Sequence, residues 1–313
     1  MVARQDISGI LNVHKPAGPT SHDVVAMIRR WSGVRRVGHA GTLDPLAEGV
    51  LLVCLGRATR VAEFLMASTK RYSAEITLGI STDTYDSEGV FSSPSPPESI
   101  PETAEPIERA LAKFVGQIDQ VPPRYSALKQ GGQPLYKRVR KGENVVVQPR
   151  PVVIEEIAII SWQRPRLVVD VACGPGTYIR SLAHDLGVAL GCGAHLSGLT
   201  RLASGQFTIE AAAPLEVLRE AFRAADVAPY LQPLDAALSD FPRLVFGADD
   251  SRGLVRGQAI ADSMVRQSPA ADANAGEPGL WRAYGPRGQF LALVAFDAER
   301  RRWLPRKVFV DPS

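Results

Sequence analysis

The sequence predicts an α+β fold: a mainly antiparallel mixed sheet with helices packed on it, followed by a small β-rich unit. Two observations carry this. Through most of the chain, apolar strand runs and amphipathic helix patterns follow one another without the regular βα alternation of a parallel sheet. From about Ala237 the texture changes to short apolar runs separated by glycine turns, "RGLVRGQAI", "GLWRAYGPRGQFLALVAFD" and "RRWLPRKVFV". With 313 residues the chain has room for two domains, expected at 1–237 and 238–313.

The elements follow in order. "GPTSHDVVAMIRRWSG" has helix start signals at Thr20 and Ser21, an apolar stripe at Val24, Met27, Ile28 and Trp31, and Gly33 as a stop. "GVLLVCLG" is an apolar run bounded by glycines and predicts a buried strand; the amphipathic "ATRVAEFLMAST" after it predicts a helix. "RYSAEITLG" alternates as a strand does. "FSSPSPPESIPETAEP" reads as a surface connection, and "IERALAKFVG" as a helix. "RYSALKQGGQPLYKRVRKGENVVVQPR" is broken by glycines and a proline and reads as an exposed excursion. "PVVIEEIAIISW" and "RLVVDVACG" predict paired strands, and "TYIRSLAHDLGVALG" a helix with a stripe of Ile179, Leu182, Ala183, Leu186, Ala189 and Leu190. "RQSPAADANAGEPG" reads as a loop.

Composition removes several function classes. No window holds the ~18 apolar residues of a membrane span. The opening "MVARQDISGILNVHKPAG" has no long apolar segment and carries Asp6 where a secretion signal is hydrophobic, so a cytoplasmic location is expected. Cys54, Cys173 and Cys192 form no CxxC pair, and the five histidines form no HxxxH pattern, so neither metal nor cofactor is expected. Net charge is only +3, but it is segregated. Arg124 to Arg150 holds seven basic residues against one acid, Glu143, while Ser81 to Glu108 holds seven acids and no base. The first stretch is a candidate phosphate-binding surface, set against the ordinary reading of a solvated face.

Few residues have the setting for chemistry. Asp44 in "GHAGTLDPLAEG" stands among small residues just before the buried strand. Asp followed by Pro45 is also the preferred cap and first residue of a helix, so local sequence favours a capped turn closed by Gly49 over catalysis. Glu48, one turn away, does not define a glycosidase pair. In "ACGPGTYIRSLAHDLG", Thr177 is the expected N-cap, which places Arg180 in the first turn, where a cation opposes the helix dipole and wants an anionic partner. The glycines of "GPGTY" are a weak nucleotide signal without a GxGxxG or GK[ST] pattern. Tyr72, flanked by Arg71 and Lys70, suits stacking on a base, although a half-buried strand tyrosine is the commoner case.

Together, "NVHKPAGPTSHDVV", "RRVGHAGTLDPLAEGVLLVCLGRATR", "KRYSAEITLGISTDTYDSEG", "VPPRYSALKQGGQPLYKRVRKG", "CGPGTYIRSLAHDLG" and "GAHLSGLTRLASGQF" resemble, in order, the TruB family of bacterial tRNA pseudouridine synthases. The resemblance implies a pseudouridine synthase fold with a C-terminal PUA-like RNA-binding domain, and isomerisation of a T-loop uridine, tRNA position 55, without a cofactor. It makes Asp44 the single catalytic carboxylate and Arg180 its ion-pair partner. Tyr72 becomes the tyrosine that stacks on the flipped uracil, Tyr178 the adjacent pocket tyrosine and Leu199 an apolar wall. His39 fills the space left by the extruded base, and Asp86 orients the pocket tyrosine. Lys15, Lys129, Lys137, Arg138, Arg140 and Lys141 are expected to bind the T-arm of tRNA, with no obligate protein partner. The long Ala-rich loop departs from the compact family pattern and is expected to be a mobile insert.

Two other readings remain at this point. A guide-RNA-dependent pseudouridine synthase would share the catalytic residues, but the basic excursion is what a stand-alone enzyme needs. An RNA-binding tRNA chaperone would not need Asp44, Tyr72 and Arg180 intact.

Overall fold

The computed structural model describes residues 7–267 and 279–310, apart from residues 127, 131, 140–142 and 144. The chain runs β1 (Gly9–Lys15), α1 (Ser21–Ser32), β2 (Val37–Ala40), β3 (Ala47–Leu55), α2 (Ala62–Ala67), β4 (Lys70–Leu78), α3 (Glu105–Leu111) and β5 (Gly116–Gln120). A small hairpin, β6 (Lys129–Gln130) and β7 (Gln133–Pro134), leads into α4 (Leu135–Val139). Then come β8 (Arg150–Gln163), β9 (Arg166–Cys173), α5 (Ile179–Leu190), β10 (Ala194–Ser204), β11 (Phe207–Thr208), β12 (Ala213–Pro214), α6 (Leu215–Arg223) and β13 (Leu231–Gln232). The last unit comprises β14 (Arg243–Phe246), α7 (Ala248–Val255), β15 (Ile260–Ala261), β16 (Val265–Gln267), β17 (Leu280–Tyr284), β18 (Phe290–Asp297) and β19 (Arg302–Val308).

The main sheet has the order β12-β1-β3-β10-β4-β9-β8-β5, with β2, β11 and β13 attached beside it. Only β1 with β12 and β3 with β10 pair in parallel; the other ladders are antiparallel. This is the mixed, mainly antiparallel sheet that the irregular element order predicts.

The run "GVLLVCLG" is continuously apolar because β3 is covered on both sides. Leu51, Val53 and Leu55 face one core with Val24 and Ile28 of α1, Ile107 of α3, Leu182 and Leu186 of α5 and Leu218 of α6. Val50, Leu52 and Cys54 face another, with Leu65 of α2 and with Leu293 and Phe309 from the last unit. A strand buried on both faces loses the polar alternation of a half-exposed one. The second core therefore also fastens the C-terminal unit to the back of the sheet, helped by the Lys307–Glu63 ion pair.

Helix α1 starts and stops as its sequence predicts. Thr20 and Asp23 form a reciprocal capping box, and Gly33 ends the helix at φ 64°, a left-handed conformation that glycine adopts without strain. Elsewhere the structure corrects the sequence reading. "DPLAEG" is a turn as expected, but it closes before Gly49 and starts no helix: the Ala47 amide donates to the Asp44 carbonyl at 3.1 Å, and β3 follows at once. Helix α5 begins at Ile179, with Tyr178 rather than Thr177 at the cap position. The Thr177 hydroxyl instead donates to the Gly174 carbonyl at 3.1 Å. Along α5 the buried stripe ends near Gly187, leaving Ala189 exposed. The segment "RGLV" finishes α7, and of "RGQAI" only Ile260 pairs as a strand, together with Ala261 after it. Acids Asp249 and Asp250 in the first turn favour that helix. Most of the Ala-rich loop, residues 268–278, lies outside the described residues.

Candidate active site

Asp44 sits on a turn whose backbone is held from both sides. Before it, the Ser21 hydroxyl at the start of α1 donates to the Leu43 carbonyl at 2.9 Å and accepts from the Leu43 amide at 2.8 Å. After it, the Gly18 amide donates to the Pro45 carbonyl at 2.8 Å. The Lys15 ammonium, 0% exposed, donates to the carbonyls of Pro16 at 2.9 Å, Pro45 at 3.3 Å and Ala47 at 2.5 Å. Burial lowers its pKa to about 8, with the Asp44 and Glu48 carboxylates working against that fall. All three Lys15 partners are protein carbonyls, so in this structure it braces the Asp44 turn from within.

The register of the sheet explains what surrounds the turn. Lys15 of β1 pairs with Gly49 of β3, Gly49 with Arg201 of β10, and Arg201 with Tyr72 of β4. One row across four strands therefore carries a lysine, a glycine, an arginine and a tyrosine. Gly49 has φ 96°, and a Cβ there would stand 2.3 Å from the Arg201 carbonyl oxygen, so only glycine lets the strands approach. Arg201, 1% exposed, donates through Nε to the Val50 carbonyl at 2.6 Å and through Nη2 to the Gly41 carbonyl at 3.1 Å. It thus secures the glycine turn ahead of Asp44. Burial raises the pKa of the Tyr72 hydroxyl, and the neighbouring Arg201 guanidinium pulls it the other way. Leu199, two residues before Arg201, pairs with Ala47 on one side and Ala74 on the other.

Arg180 supplies the charge that faces Asp44. Its Nε lies 3.0 Å from Asp44 Oδ2, and its Nη2 donates to Oδ1 at 3.3 Å. The same guanidinium, on a side chain 7% exposed, reaches Asp86 Oδ2 through Nη1 at 3.1 Å and the Tyr125 carbonyl through Nη2 at 3.1 Å. Asp86 is correspondingly buried, its other oxygen accepting from Thr84 Oγ1 at 2.6 Å and the Glu88 amide at 3.1 Å. Among the described residues, Asp86 is bonded to Arg180, Thr84 and the Glu88 amide, and to no tyrosine hydroxyl. One cation thus stands between two carboxylates. Burial raises the Asp44 pKa; Arg180 opposes the rise and Asp86 adds to it.

The start of α5 is fixed by a residue that local sequence does not single out. Gln120, 2% exposed at the end of β5, accepts from the Tyr178 amide at 2.8 Å and donates to the Tyr178 carbonyl at 3.0 Å. Next to it, the Ser181 hydroxyl donates to the Val121 carbonyl at 2.7 Å. A side-chain amide here satisfies the N–H of the cap residue itself, one of the four at a helix start that have no intrahelical partner. His39, on β2, packs edge-on against His22 at 5.2 Å, and burial lowers its pKa to about 4, so its ring is neutral near pH 7.

The basic excursion carries its own hairpin and helix, and its root touches the site through the Tyr125 carbonyl. Arg138 is paired with Glu143 at 2.6 Å. Arg140 and Lys141, and the side chains of Lys129 and Lys137, lie outside the described residues. Among the described residues no group of three His, Cys, Asp or Glu side chains converges as a metal site, and no helix is long and apolar enough to cross a membrane.

Comparison with known proteins places this geometry. In the structure of an H/ACA RNP bound to a substrate RNA containing 2'-deoxyuridine, one chain superposes with a TM-score of 0.74 at 26% identity, over 97% of this chain and 86% of that one. A chain of the Cbf5-Nop10-Gar1 complex gives 0.73 at 28% identity, over 97% and 85%. The architecture is the pseudouridine synthase α+β fold, with a small β-rich PUA-like domain at the C-terminal end. Residues 29–179 match the TruB family pseudouridylate synthase N-terminal domain, and residues 180–239 the tRNA pseudouridylate synthase B C-terminal domain. The tRNA pseudouridine synthase B of Xanthomonas oryzae pv. oryzae is 40% identical over 98% of this chain and 96% of its own length. That of Syntrophotalea carbinolica is 47% identical over 76% and 77%. The chain belongs to the TruB family and is a tRNA pseudouridine synthase, an isomerase.

Proposed function

We propose that this chain converts one uridine in the T-loop of tRNA, position 55, to pseudouridine, with Asp44 as its only catalytic carboxylate. The observation that carries this reading is the Asp44–Arg180 ion pair on a turn braced by Ser21, Gly18 and Lys15. The reaction breaks the bond from uracil N1 to ribose C1′ and makes one from C5 to C1′. The C5 proton leaves, and N1 ends protonated. Nothing is added from outside, so one anion acting on the sugar, as nucleophile or as base, is sufficient chemistry. Tyr72 and Leu199, diagonal to each other on β4 and β10, offer the flipped base a flat face and an apolar wall. His39 enters the space the base vacates, and Tyr178 lines the far side. The test is site-resolved mapping of pseudouridine in bare T-arm RNA incubated with the purified chain. One modified loop uridine is expected; modification only after a guide RNA is added would favour the ribonucleoprotein reading.

The same reading fixes a pH dependence. Turnover needs Asp44 ionised, and burial, with Asp86 assisting, raises its pKa. As pH falls, turnover is lost through that raised pKa, so the acid limb lies above the ordinary aspartate value of ~3.9. Asp86→Asn removes a charge that raises the Asp44 pKa, and should move the limb of the remaining turnover to lower pH. Single-turnover rates from acid to neutral pH measure both. A limb at or below the ordinary value would show that the titrating group is not this carboxylate.

Grip on the RNA is assigned to residues 124–150. Replacing Lys137, Arg138, Arg140 and Lys141 with Gln should weaken T-arm binding. It should also flatten the log–log salt dependence by roughly 0.7–0.9 for each phosphate no longer neutralised. Turnover at saturating RNA should be nearly kept. An unchanged slope in a salt titration would mark these charges as a solvated face.

A further inference from the structure

Asp86 and Tyr85 are consecutive, yet both side chains meet the same helix. In an extended chain neighbouring side chains point to opposite faces. Here Tyr85 has φ 67°, a left-handed conformation uncommon for a residue other than glycine, which turns its ring to the side of the Asp86 carboxylate. Asp86 then reaches Arg180 at 3.1 Å. The Tyr85 ring lies flat on the His184 ring, centroids 3.9 Å apart and planes 13° from parallel. Arg180 and His184 are four residues apart, one above the other on α5.

The loop's backbone is fixed at the same place. The Tyr85 carbonyl accepts from the Leu196 amide at 2.9 Å, and the Leu196 carbonyl accepts from the Ser87 amide at 3.0 Å. Thr82 Oγ1 donates to the Asp86 carbonyl at 2.6 Å. Two consecutive loop residues therefore grip α5 at two points one turn apart: one by an ion pair, the other by a ring stack. The backbone bonds hold the loop to β10, and the stack gives it a second hold on α5 beside the ion pair. The charges beside the Tyr85 hydroxyl are Asp185 on α5 and Arg124 at the root of the basic excursion. Burial lowers the His184 pKa, so the stack is between uncharged rings near neutral pH.

We propose that Tyr85 and His184 are a positioning pair, which holds the Asp86 loop at a fixed angle to α5 and so aims the Arg180 guanidinium at Asp44. Their contribution is to the placement of the ion pair, and it rests on the reading of Asp44 as the catalytic carboxylate.

The experiment compares single-turnover rates at saturating T-arm RNA, and T-arm affinity, for wild type, Tyr85→Asn, Tyr85→Phe, His184→Ala, Tyr85→Asn/His184→Ala and Asp44→Asn. Asparagine tolerates the left-handed backbone, so Tyr85→Asn removes the ring without forcing the loop to refold. Tyr85→Asn and His184→Ala should each lower the rate by about 10- to 100-fold, the cost of a small misplacement in a catalytic constellation. Affinity should stay within twofold of wild type. Tyr85→Phe keeps the stack and should keep the rate. The double variant should be no slower than the slower single one, since both substitutions break the same stack. If Tyr85→Asn does not fold, His184→Ala decides alone. A lowered melting temperature with an unchanged rate, or a loss confined to affinity, would overturn the positioning role while Asp44→Asn is inactive. Turnover by Asp44→Asn would instead overturn the reading of the site on which the pair depends.

Discussion

Asp44→Asn is expected to abolish pseudouridine formation while leaving T-arm affinity within a few-fold of wild type. The substitution is nearly isosteric, and the turn on which Asp44 stands does not depend on its carboxylate. That turn is held by Ser21 on Leu43, Gly18 on Pro45 and Lys15 on Pro45 and Ala47, all through backbone groups. Fold and binding surface should therefore survive. What is lost is the negative charge at the only carboxylate assigned to the sugar, and an amide at that position is neither nucleophile nor base. Rate and affinity measured on the same T-arm RNA separate the two effects. Substantial turnover in the variant, or failure to fold, would assign Asp44 to the turn and not to the chemistry.

Arg180→Ala should lower turnover far more than binding, and should also destabilise the protein. The guanidinium spans Asp44, Asp86 and the Tyr125 carbonyl from a nearly buried position. Removing it leaves Asp86, with 3% of its side chain exposed, as a buried charge without its cation. Breaking one side of a buried, hydrogen-bonded pair costs on the order of 3–5 kcal/mol. Arg180→Lys should restore little of the turnover, because a point charge cannot serve two carboxylates and a carbonyl in fixed directions as the planar guanidinium does. Rates on the folded fraction, with melting temperatures beside them, test this. A loss of affinity with turnover unchanged would instead place Arg180 on an RNA phosphate.

Much of this was legible in the sequence, for identifiable reasons. Continuous apolar character marked β3, Thr20 and Gly33 marked the two ends of α1, and the pattern of runs gave the mixed sheet. Asp44 and Arg180 could be paired only through family resemblance, since 136 residues separate them. Local reasoning still showed that Arg180 at a helix start wanted an anion. What stayed hidden depends on register and long-range closure. Lys15, Gly49, Arg201 and Tyr72 form one row only once four strands are aligned. Lys15 looks in sequence like any surface lysine, and only its three carbonyl partners show that it is internal. Thr177 had every local feature of an N-cap, yet Gln120, 58 residues away, satisfies the helix start. Asp44-Pro45 had the signature of a capped helix, but four residues cannot form one when β3 must begin at Ala47 to complete the sheet.

The most direct measurement is site-resolved pseudouridine mapping of bare T-arm RNA after a single turnover with wild type and with Asp44→Asn, at matched occupancy. One pseudouridine at the T-loop position with wild type and none with the variant is the expected outcome. The same pseudouridine formed by both proteins would contradict a single carboxylate at Asp44 as the catalyst.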